Sequence, residues 1–318
     1  MADGPLIFVR GNDTFLQRLQ KPEYFFQPNK LLQRLLPASP PAPDSRLIRL
    51  PWGMELQVNP REDIGHAIHC LGIYDLPVSE ALWRLLEPGD RALDLGANLG
   101  YMTALMAFRV GAAGRVLAFE PQPAVYACLA ENLRRWEKNG LFGVVQAYEL
   151  AISNIAGSVQ LIMPPEFAAN RGLAHLARMG EPDGNPTVTV AAARLDDLTG
   201  RDEFAVMKID IEGHERQALE GATGLLAGRR VRHIIFEAQG QYPNPVSQLL
   251  ESFDYAVFSL GINFWGPRLE LASAAASGPG RRWLAPSMIA TLDLLGLRHA
   301  LGPRGWRVLR GRAPGGKA

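Results

Sequence analysis

The sequence predicts an α/β protein built on a doubly wound, mostly parallel β-sheet, with additions at its N-terminal and C-terminal ends. Between about residues 78 and 260, short apolar runs of strand length alternate with longer segments of helical length. A glycine turn, Gly96–Gly100, directly follows the first of these strands. Carboxylates stand where the predicted strands end, and they are Asp94, Glu120, Asp210, Glu212 and Glu237. Since ligands of doubly wound sheets bind outside the carboxyl ends of the strands, these acids are candidate site residues.

The predicted elements follow from apolar periodicity and from turn residues. Residues 1–73 form an N-terminal extension with a proline-rich linker at Pro37–Pro43. Its β-hairpin pairs Arg46–Leu50 with Met54–Val58, and a short helix covers Glu62–Ile73. Residues 74–264 form the nucleoside-binding domain, and residues 265–318 form a basic C-terminal cap or tail.

The domain at 74–264 alternates strands with helices, as a parallel sheet with crossover helices requires. The predicted strands are Ala92–Leu95, Arg115–Phe119, Gly143–Leu150, Phe204–Ile211, His233–Phe236 and Tyr255–Leu260. The predicted helices are Val78–Leu86, Tyr101–Val110, Pro121–Lys138, Glu215–Leu226 and Val246–Ser252. Ala151–Asn154 is a loop at the carboxyl end of the third strand. An antiparallel pair, Ser158–Met163 and Thr187–Ala192, surrounds an insertion, Pro164–Pro186, that suits either a lid over the cofactor edge or a disordered excursion.

Composition narrows the classes of protein to consider. The 318 residues are 47% hydrophobic and 20% charged, and a net charge of +1 gives no reason to expect a nucleic-acid partner. Two separate cysteines, Cys70 and Cys128, exclude a cysteine-rich zinc site. No uncharged apolar run reaches the ~18 residues of a membrane span and the N-terminus lacks a signal pattern, so we expect a cytoplasmic protein. The C-terminal tail and the N-terminal arm would suit a homodimer.

The first informative stretch is the unit of strand, glycine turn, helix and strand from Ala92 to Glu120. Small residues in the turn allow a close approach between backbone and ligand. Glu120 ends the second strand, where an acid accepts hydrogen bonds from ribose hydroxyls. The turn differs from a dinucleotide fingerprint, because Asn98 replaces the middle glycine and Asp94 would repel a pyrophosphate. A cofactor with a cationic amine and a ribose fits better, and S-adenosylmethionine is such a cofactor.

Most of the candidate cofactor-binding residues come from the ends of four predicted strands. The methionine end is assigned to the turn and the ribose to Glu120. The full set is Asp94, Gly96, Ala97, Asn98, Gly100, Thr103, Glu120, Pro121, Ala151 and Asp210.

The second informative stretch is Lys208–Glu215, KIDIEGHE. On a strand, Lys208, Asp210 and Glu212 share one face, which is costly in a buried sheet unless the charges are paired or functional. They would face the methyl group to be transferred, with Asp210, Glu212 or His214 as base and Lys208 lowering the pKa of a substrate hydroxyl. A structural pairing of Lys208 with carboxylates is the alternative. The candidate catalytic residues are Lys208, Asp210, Glu212, His214 and Glu237, and Asp210, Glu212 and Glu237 could instead hold Mg²⁺.

Three motifs in this order resemble the signatures of FkbM-type methyltransferases. They are Asp94–Thr103 (DLGANLGYMT), Ala118–Pro123 (AFEPQP) and Lys208–Glu215. The resemblance covers roughly residues 74–240 and implies a Rossmann-like class I fold, S-adenosylmethionine bound by the first two motifs and methyl transfer near the third. That family mostly methylates hydroxyls of sugars, polyketides and other natural products. Tyr74-Asp75 departs from the Tyr-Glu that members often carry.

The function expected from sequence is O-methylation of a hydroxyl on a small-molecule or glycan acceptor. Methylation of an amine or of a carboxylate stays open, because an amine needs only deprotonation and a carboxylate needs no base. A catalytically silent protein that binds S-adenosylmethionine or S-adenosylhomocysteine is the alternative from another class, and the acidic third motif argues against it. An NAD-dependent oxidoreductase is disfavoured by Asn98 and Asp94.

Overall fold

The structure is a computed structural model that describes residues 45–137, 144–164, 174–176, 184–237, 242–273 and 287–311. The proline-rich linker, most of the insertion at 164–186 and the last residues of the basic tail lie outside the described residues.

The secondary structure alternates as expected. The strands are β1 (Arg46–Arg49), β2 (Glu55–Val58), β3 (Arg91–Leu95), β4 (Arg115–Phe119), β5 (Val144–Tyr148), β6 (Ala151–Ile152), β7 (Gly157–Ile162), β8 (His175–Leu176), β9 (Thr187–Ala193), β10 (Phe204–Ile209), β11 (Val231–Glu237), β12 (Ala256–Asn263), β13 (Gly266–Leu271) and β14 (Ser287–Thr291). The helices are α1 (Asp63–Leu71), α2 (Leu76–Leu85), α3 (Tyr101–Val110), α4 (Pro123–Glu137), α5 (Leu195–Thr199), α6 (Glu215–Glu220), α7 (Thr223–Ala227), α8 (Pro245–Glu251) and α9 (Leu294–Leu301).

The central sheet has eight strands among the described residues, in the order β13-β12-β14-β11-β10-β3-β4-β5. Neighbours from β11 to β5 pair in parallel, while β14 is antiparallel to both β11 and β12. Two of the strands, β13 and β14, come from the region that the sequence assigns to a C-terminal addition. The predicted α/β class with a mostly parallel sheet is confirmed.

Helices cover both faces of this sheet, which explains why its strands are apolar on both sides. On one face, α2, α3 and α9 contribute Leu82, Leu105 and Leu297 to the larger core. On the other face, α6, α7 and α8 contribute residues such as Leu219 and Leu250. No described helix is both long and apolar enough to cross a membrane.

The third motif folds differently from its prediction. The strand expected at Phe204–Ile211 ends at Ile209, so Glu212 is not on it. Glu212 instead has a left-handed backbone, with φ of 53°. The helix expected at Glu215–Leu226 is divided into α6 and α7 near Gly221. A Cβ at Gly221 would lie 2.0 Å from the Ser153 carbonyl oxygen, so the chain breaks where two backbones meet.

A second sheet, in the order β6-β9-β7-β8, follows β5 in the chain. The predicted antiparallel pair is confirmed, with Gly157 opposite Ala192 and Ile162 opposite Thr187. The loop expected at Ala151–Asn154 begins with β6, which pairs in parallel with β9. The short strand β8 shows that part of the insertion joins this sheet.

The C-terminal segment is attached to α2 by a buried ion pair, Glu80 with Arg84, whose side chains are fully buried. Arg84 donates to the carbonyl oxygens of Ala300, Pro303 and Gly305. The Glu80 carboxylate accepts from the backbone N–H groups of Arg307 and Val308. Each charge therefore also satisfies backbone groups, which is the condition under which buried ion pairs persist.

Candidate cofactor and acceptor site

One cavity lies at the carboxyl ends of β3, β4, β10 and β11, where the topology places the ligand site. Most of the residues singled out from sequence line it. They are Gly96, Ala97, Asn98, Glu120, Pro121, Ala151, Lys208, Asp210, Glu212, His214 and Glu237.

The glycine turn is held between the ends of β4 and β10. The backbone N–H groups of Gly96 and Ala97 both donate to the Phe119 carbonyl oxygen, at 2.9 Å each. Gly96 has a φ of 78°, and a Cβ there would lie 1.9 Å from the Asp210 carbonyl oxygen. Asn98 has a φ of 51°, a conformation that asparagine tolerates better than most residues. The backbone conformation and packing of the turn therefore favour Gly at position 96 and Asn at position 98 even without a bound ligand.

Glu120 ends β4 and faces this turn. Its Oε2 accepts from the Asn98 backbone N–H at 2.9 Å, and its Oε1 accepts from the Gln122 N–H at 3.0 Å. The side chain is buried, and this burial raises its pKa to about 7, although the two hydrogen bonds act in the opposite direction. Glu120 is thus a positioned acceptor in the wall of the cavity, with an unusually high proton affinity.

Three residues predicted to touch the cofactor lie behind the wall of the cavity. Asp94 is fully buried, and its Oδ2 accepts from the Thr103 hydroxyl at 2.6 Å. Burial raises the pKa of Asp94, against the attraction of Lys208. At Gly100, which begins α3, a Cβ would meet Leu129 at 2.7 Å. These three residues contact other parts of the protein interior. They therefore support the conformation of the glycine turn and do not line the cavity.

Lys208 lines the cavity, as predicted, and its charge is paired there. Its buried ammonium donates to the Gly96 carbonyl oxygen at 2.8 Å and lies 3.4 Å from Asp94 Oδ1 and 3.5 Å from Asp210 Oδ2. Burial lowers the pKa of Lys208, but Asp210 and Asp94 more than offset this, and the pKa is raised. The structure therefore favours the pairing alternative, in which a charged Lys208 ties the glycine turn to β10.

The turn after β10 presents the acidic groups and a histidine. Glu215 Oε1 accepts from the Gly213 N–H at 2.9 Å and from the Ile211 N–H at 3.3 Å, which fixes this turn. His214 precedes α6, and its Nε2 lies 2.9 Å from the Ser153 hydroxyl. Glu212 and His214 therefore reach the cavity from a turn, and not from one face of a strand as alternation predicts.

The three acids predicted as alternative magnesium ligands all line the cavity. Asp210, Glu212 and Glu237 are all described, yet the described residues contain no group of three or more His, Cys, Asp or Glu side chains that could hold a metal ion. Glu237 ends β11, whereas Glu212 lies in the turn beyond β10. The three acids share one cavity without converging on one point.

Sequence reasoning missed several lining residues. His175 reaches the cavity from β8, and Tyr74, Asp75 and Tyr101 reach it from the start of α2 and of α3. Asp75 caps α2, since its Oδ1 accepts from the Val78 N–H at 3.2 Å. The pair Tyr74-Asp75 was visible as a departure from a motif, whereas nothing around the two-residue strand β8 marks His175 in the sequence.

The chain is similar in sequence to a known family of methyltransferases. Residues 94–257, just over half of the chain, match the model of the methyltransferase FkbM domain. With the Rossmann-like sheet and its cavity, this match defines a class I methyltransferase that depends on S-adenosylmethionine. The chain belongs to the FkbM family of methyltransferases.

Curated relatives with named activities are more distant. The chain is 30% identical over 186 residues to the hexuronic acid methyltransferase AglP of Haloferax volcanii, a match covering 56% of this chain and 70% of that protein. It is 28% identical over 181 residues to the 31-O-demethyl-FK506 methyltransferase FkbM of Streptomyces tacrolimicus, covering 48% and 66%.

Solved structures that the chain resembles include methyltransferase FkbM from Methylobacillus flagellatus KT. It is 16% identical with a TM-score of 0.39, and the match covers 70% of this chain and 52% of that one. Fibrillarin from Aeropyrum pernix, solved with natively bound S-adenosylmethionine, is 14% identical with a TM-score of 0.37, covering 80% and 85%.

Proposed function

We propose that this protein transfers the methyl group of S-adenosylmethionine to a hydroxyl of a sugar or another small molecule. One observation carries the proposal: Glu120, at the end of β4, and His214, beside the end of β10, line the same cavity. A nucleoside held by the first group would place its reactive end toward the second. The named activities of the two curated relatives, on a hexuronic acid and on demethylated FK506, support this class of acceptor.

The residues at one end of the cavity fit the cofactor. The Glu120 carboxylate can accept from ribose hydroxyls, and the turn at Gly96–Asn98 allows a close approach because it carries little side-chain bulk. Lys208 holds that turn in place through the Gly96 carbonyl. When bound, S-adenosylmethionine supplies a methyl group that its sulfonium makes electrophilic.

The residues at the other end fit a hydroxyl acceptor. A neutral hydroxyl must lose its proton as its oxygen bonds to carbon, so a base must lie within reach. The Asp210 carboxylate is already occupied by the Lys208 ammonium, 3.5 Å from its Oδ2. We assign the base to His214, because an imidazole ordinarily titrates near neutral pH. Asp210, Glu212 and Glu237 would then accept hydrogen bonds from other hydroxyls of the acceptor.

In this reaction the bond from methyl carbon to oxygen forms as the bond from carbon to sulfur breaks. The hydroxyl proton passes to His214 and then to solvent. The products are a methyl ether and S-adenosylhomocysteine, and no oxidant or reductant is consumed. The chain contributes alignment and proton uptake, since the cofactor already carries the activated group.

Calorimetric titration with S-adenosylmethionine, S-adenosylhomocysteine and NAD tests the cofactor half of the proposal. We expect micromolar binding of the first two ligands and none of NAD. Failure of both nucleosides to bind would contradict the proposal, and a protein that binds them without turnover on any acceptor would be the silent binding protein.

A turnover screen tests the acceptor half by measuring release of S-adenosylhomocysteine. Neutral monosaccharides, uronic acids, amines and carboxylic acids serve as acceptors, so N-methylation and carboxyl methylation are separate outcomes. We expect release with hydroxyl acceptors, and loss of that release in His214→Gln with cofactor affinity unchanged. The matched control is Ser158→Ala, because Ser158 is exposed on β7 outside the cavity.

A further inference from the structure

We infer that Asn132 is a positioning residue that couples the N-terminal hairpin, formed by β1 and β2, to the glycine turn of the cofactor site. The hairpin then belongs to the unit that binds the cofactor, although none of the residues 46–58 lines the cavity. The inference rests on the proposed function, because it takes the glycine turn as part of the binding site for S-adenosylmethionine.

The Asn132 side chain, on α4, is fully buried and uses both ends of its amide. Its Oδ1 accepts from the Gln57 backbone N–H at 2.7 Å. Its Nδ2 donates to the Leu99 carbonyl oxygen at 2.9 Å and to the Gln57 carbonyl oxygen at 3.2 Å. These partners fix the orientation of the amide, because a backbone N–H can only donate and a carbonyl oxygen can only accept. A rotated amide would lose all three hydrogen bonds.

On the hairpin side, α4 pairs with one edge of β2 as a neighbouring strand would. Gln57 lies on β2, and Asn132 binds both its backbone N–H and its backbone carbonyl. One helical turn further along α4, Trp136 donates from Nε1 to the Glu55 carbonyl oxygen at 2.7 Å. Three backbone groups of β2 are thus satisfied by side chains of α4, so hydrogen bonds attach the hairpin to this helix.

On the turn side, Asn132 binds the backbone next to the groups that shape the cavity. Leu99 lines the cavity and directly follows Asn98, whose N–H donates to Glu120 Oε2. The helical hydrogen bonds of α3 begin one residue later, at the Gly100 carbonyl oxygen. The bond from Asn132 to the Leu99 carbonyl therefore fixes a peptide group that lies between the cavity and the start of the helix.

Packing from α4 restricts the turn at the same place. Gly100 has a φ of 98°, and a Cβ there would lie 2.7 Å from Leu129 and 3.0 Å from Trp136. Leu129, Asn132 and Trp136 are spaced by three and four residues, so they share one face of α4. This face both encloses the glycine turn and forms hydrogen bonds with the hairpin, and Asn132 is the side chain that binds the two together.

Coupling of this kind is reciprocal. A hairpin that holds the turn in its binding conformation raises the affinity for the cofactor. Bound cofactor must then stabilise the attachment of the hairpin by the same free energy. The inference therefore predicts two quantities, the affinity for S-adenosylhomocysteine and the protection of β2 from hydrogen exchange.

Calorimetric titration of Asn132→Ala with S-adenosylhomocysteine measures the first quantity. The temperature is kept well below the unfolding midpoint of each variant, so that the affinity refers to folded protein. We expect the affinity to fall about tenfold, because it falls with the fraction of molecules whose turn keeps the binding conformation.

The matched control is Arg135→Met, on the same helix and against the same hairpin residue. It removes the 2.7 Å hydrogen bond from Arg135 Nη2 to Gln57 Oε1 and leaves the bond to Leu99 in place. This variant should keep the wild-type affinity even where its unfolding temperature falls.

Hydrogen exchange of the full chain, followed by mass spectrometry, measures the second quantity. Saturating S-adenosylhomocysteine should slow amide exchange at Glu55–Val58 in the wild-type protein by about tenfold, the same factor as in the affinity. Arg135→Met should keep this response to the ligand, and Asn132→Ala should lose it.

Wild-type affinity in folded Asn132→Ala would overturn the inference, and so would wild-type exchange at Glu55–Val58 that does not respond to the ligand. An equal loss of affinity in Arg135→Met would also overturn it, because the bond to Leu99 would then not be what matters. If Asn132→Ala does not fold, the exchange experiment on the wild-type protein decides. Absence of binding in the wild-type protein would overturn the cofactor half of the proposed function as well, so the two failures are distinguishable.

Discussion

The two ends of the cavity differ in how the chain supplies their lining residues. The end proposed for the cofactor includes one continuous backbone turn, Gly96–Asn98, that other backbone atoms hold from two sides. At the end proposed for the acceptor, His175 and Glu237 reach the cavity from separate strands.

This difference predicts which substitutions reduce folding stability and cofactor binding, and which reduce turnover alone. A backbone wall under steric constraint has no room for substitution, so damage there should reduce folding stability and cofactor binding together. Where side chains from separate strands line the cavity, one of them can be substituted while the others keep their positions. Damage there should reduce turnover and leave the cofactor affinity unchanged.

The largest expected effect follows from Gly96→Ala. The new Cβ would lie 1.9 Å from the Asp210 carbonyl oxygen on a backbone with φ of 78°. We expect loss of more than ~3 kcal/mol of unfolding free energy and loss of S-adenosylhomocysteine binding. Chemical denaturation and calorimetry measure the two quantities.

Gly89→Ala is the matched control for this variant. Gly89 has a φ of 93°, yet nothing lies within 4 Å of a Cβ built there. It should cost only the ~1–2 kcal/mol of a left-handed backbone and leave binding intact. Equal effects of the two substitutions would show that backbone conformation, and not the close approach, sets the constraint at Gly96.

An effect of comparable size is expected from Lys208→Met, which leaves Asp94 and Asp210 without their cation. Removing one partner of a buried pair costs about 3–5 kcal/mol, and cofactor affinity should fall as the Gly96 carbonyl loses its donor. Thermal unfolding and titration measure this. A variant with wild-type stability and affinity but no turnover would return Lys208 to the catalytic role predicted from sequence.

Glu120→Ala should act on binding more than on folding. Loss of the ribose hydrogen bonds should weaken cofactor binding by about 1.5–3 kcal/mol, as expected for bonds to a charged group. Calorimetric titration with S-adenosylhomocysteine gives this difference directly. Unchanged affinity would remove Glu120 from the ribose site.

The smallest effect is a pH dependence of the wild-type protein. The pKa of Glu120 in the folded protein is raised to about 7 from an ordinary 4.5, so the free protein loses stability as pH rises through this window. Ribose hydroxyls favour the carboxylate, so binding has the opposite sign. Affinity for S-adenosylhomocysteine should fall about tenfold from pH 8 to pH 6. Glu120→Gln should abolish the dependence, and a flat wild-type profile would contradict the shifted pKa.

The same comparison explains what could be predicted from the sequence. The unit from β3 to Glu120 is encoded locally, because strand, glycine turn, helix, second strand and acid follow one another closely in the sequence. Glu212 was placed on a strand because alternation alone does not reveal where β10 stops. His175 was missed because a two-residue strand carries no periodicity, and its neighbours in space lie far along the chain.

The pairing of charged groups is harder to predict from sequence than the elements are. The sequence shows a lysine and two acids near each other, but it does not show which of them form an ion pair inside the protein. Lys208 and Asp94 belong to neighbouring strands in register, a relation that only the sheet order supplies. Thr103 lies three residues beyond Gly100, in the first turn of α3, and its hydroxyl points back to Asp94. Such pairings depend on tertiary packing.

The position of β14 has a consequence for how the protein is made. Its five residues are all buried, and it pairs on one side with β11 and on the other with β12, both of which are synthesised earlier. A nascent chain that has not yet reached Ser287 therefore carries two open strand edges that have no partner within the chain. Completion of the sheet must follow translation of β14, and ribosomes that stall before it would release chains prone to aggregation.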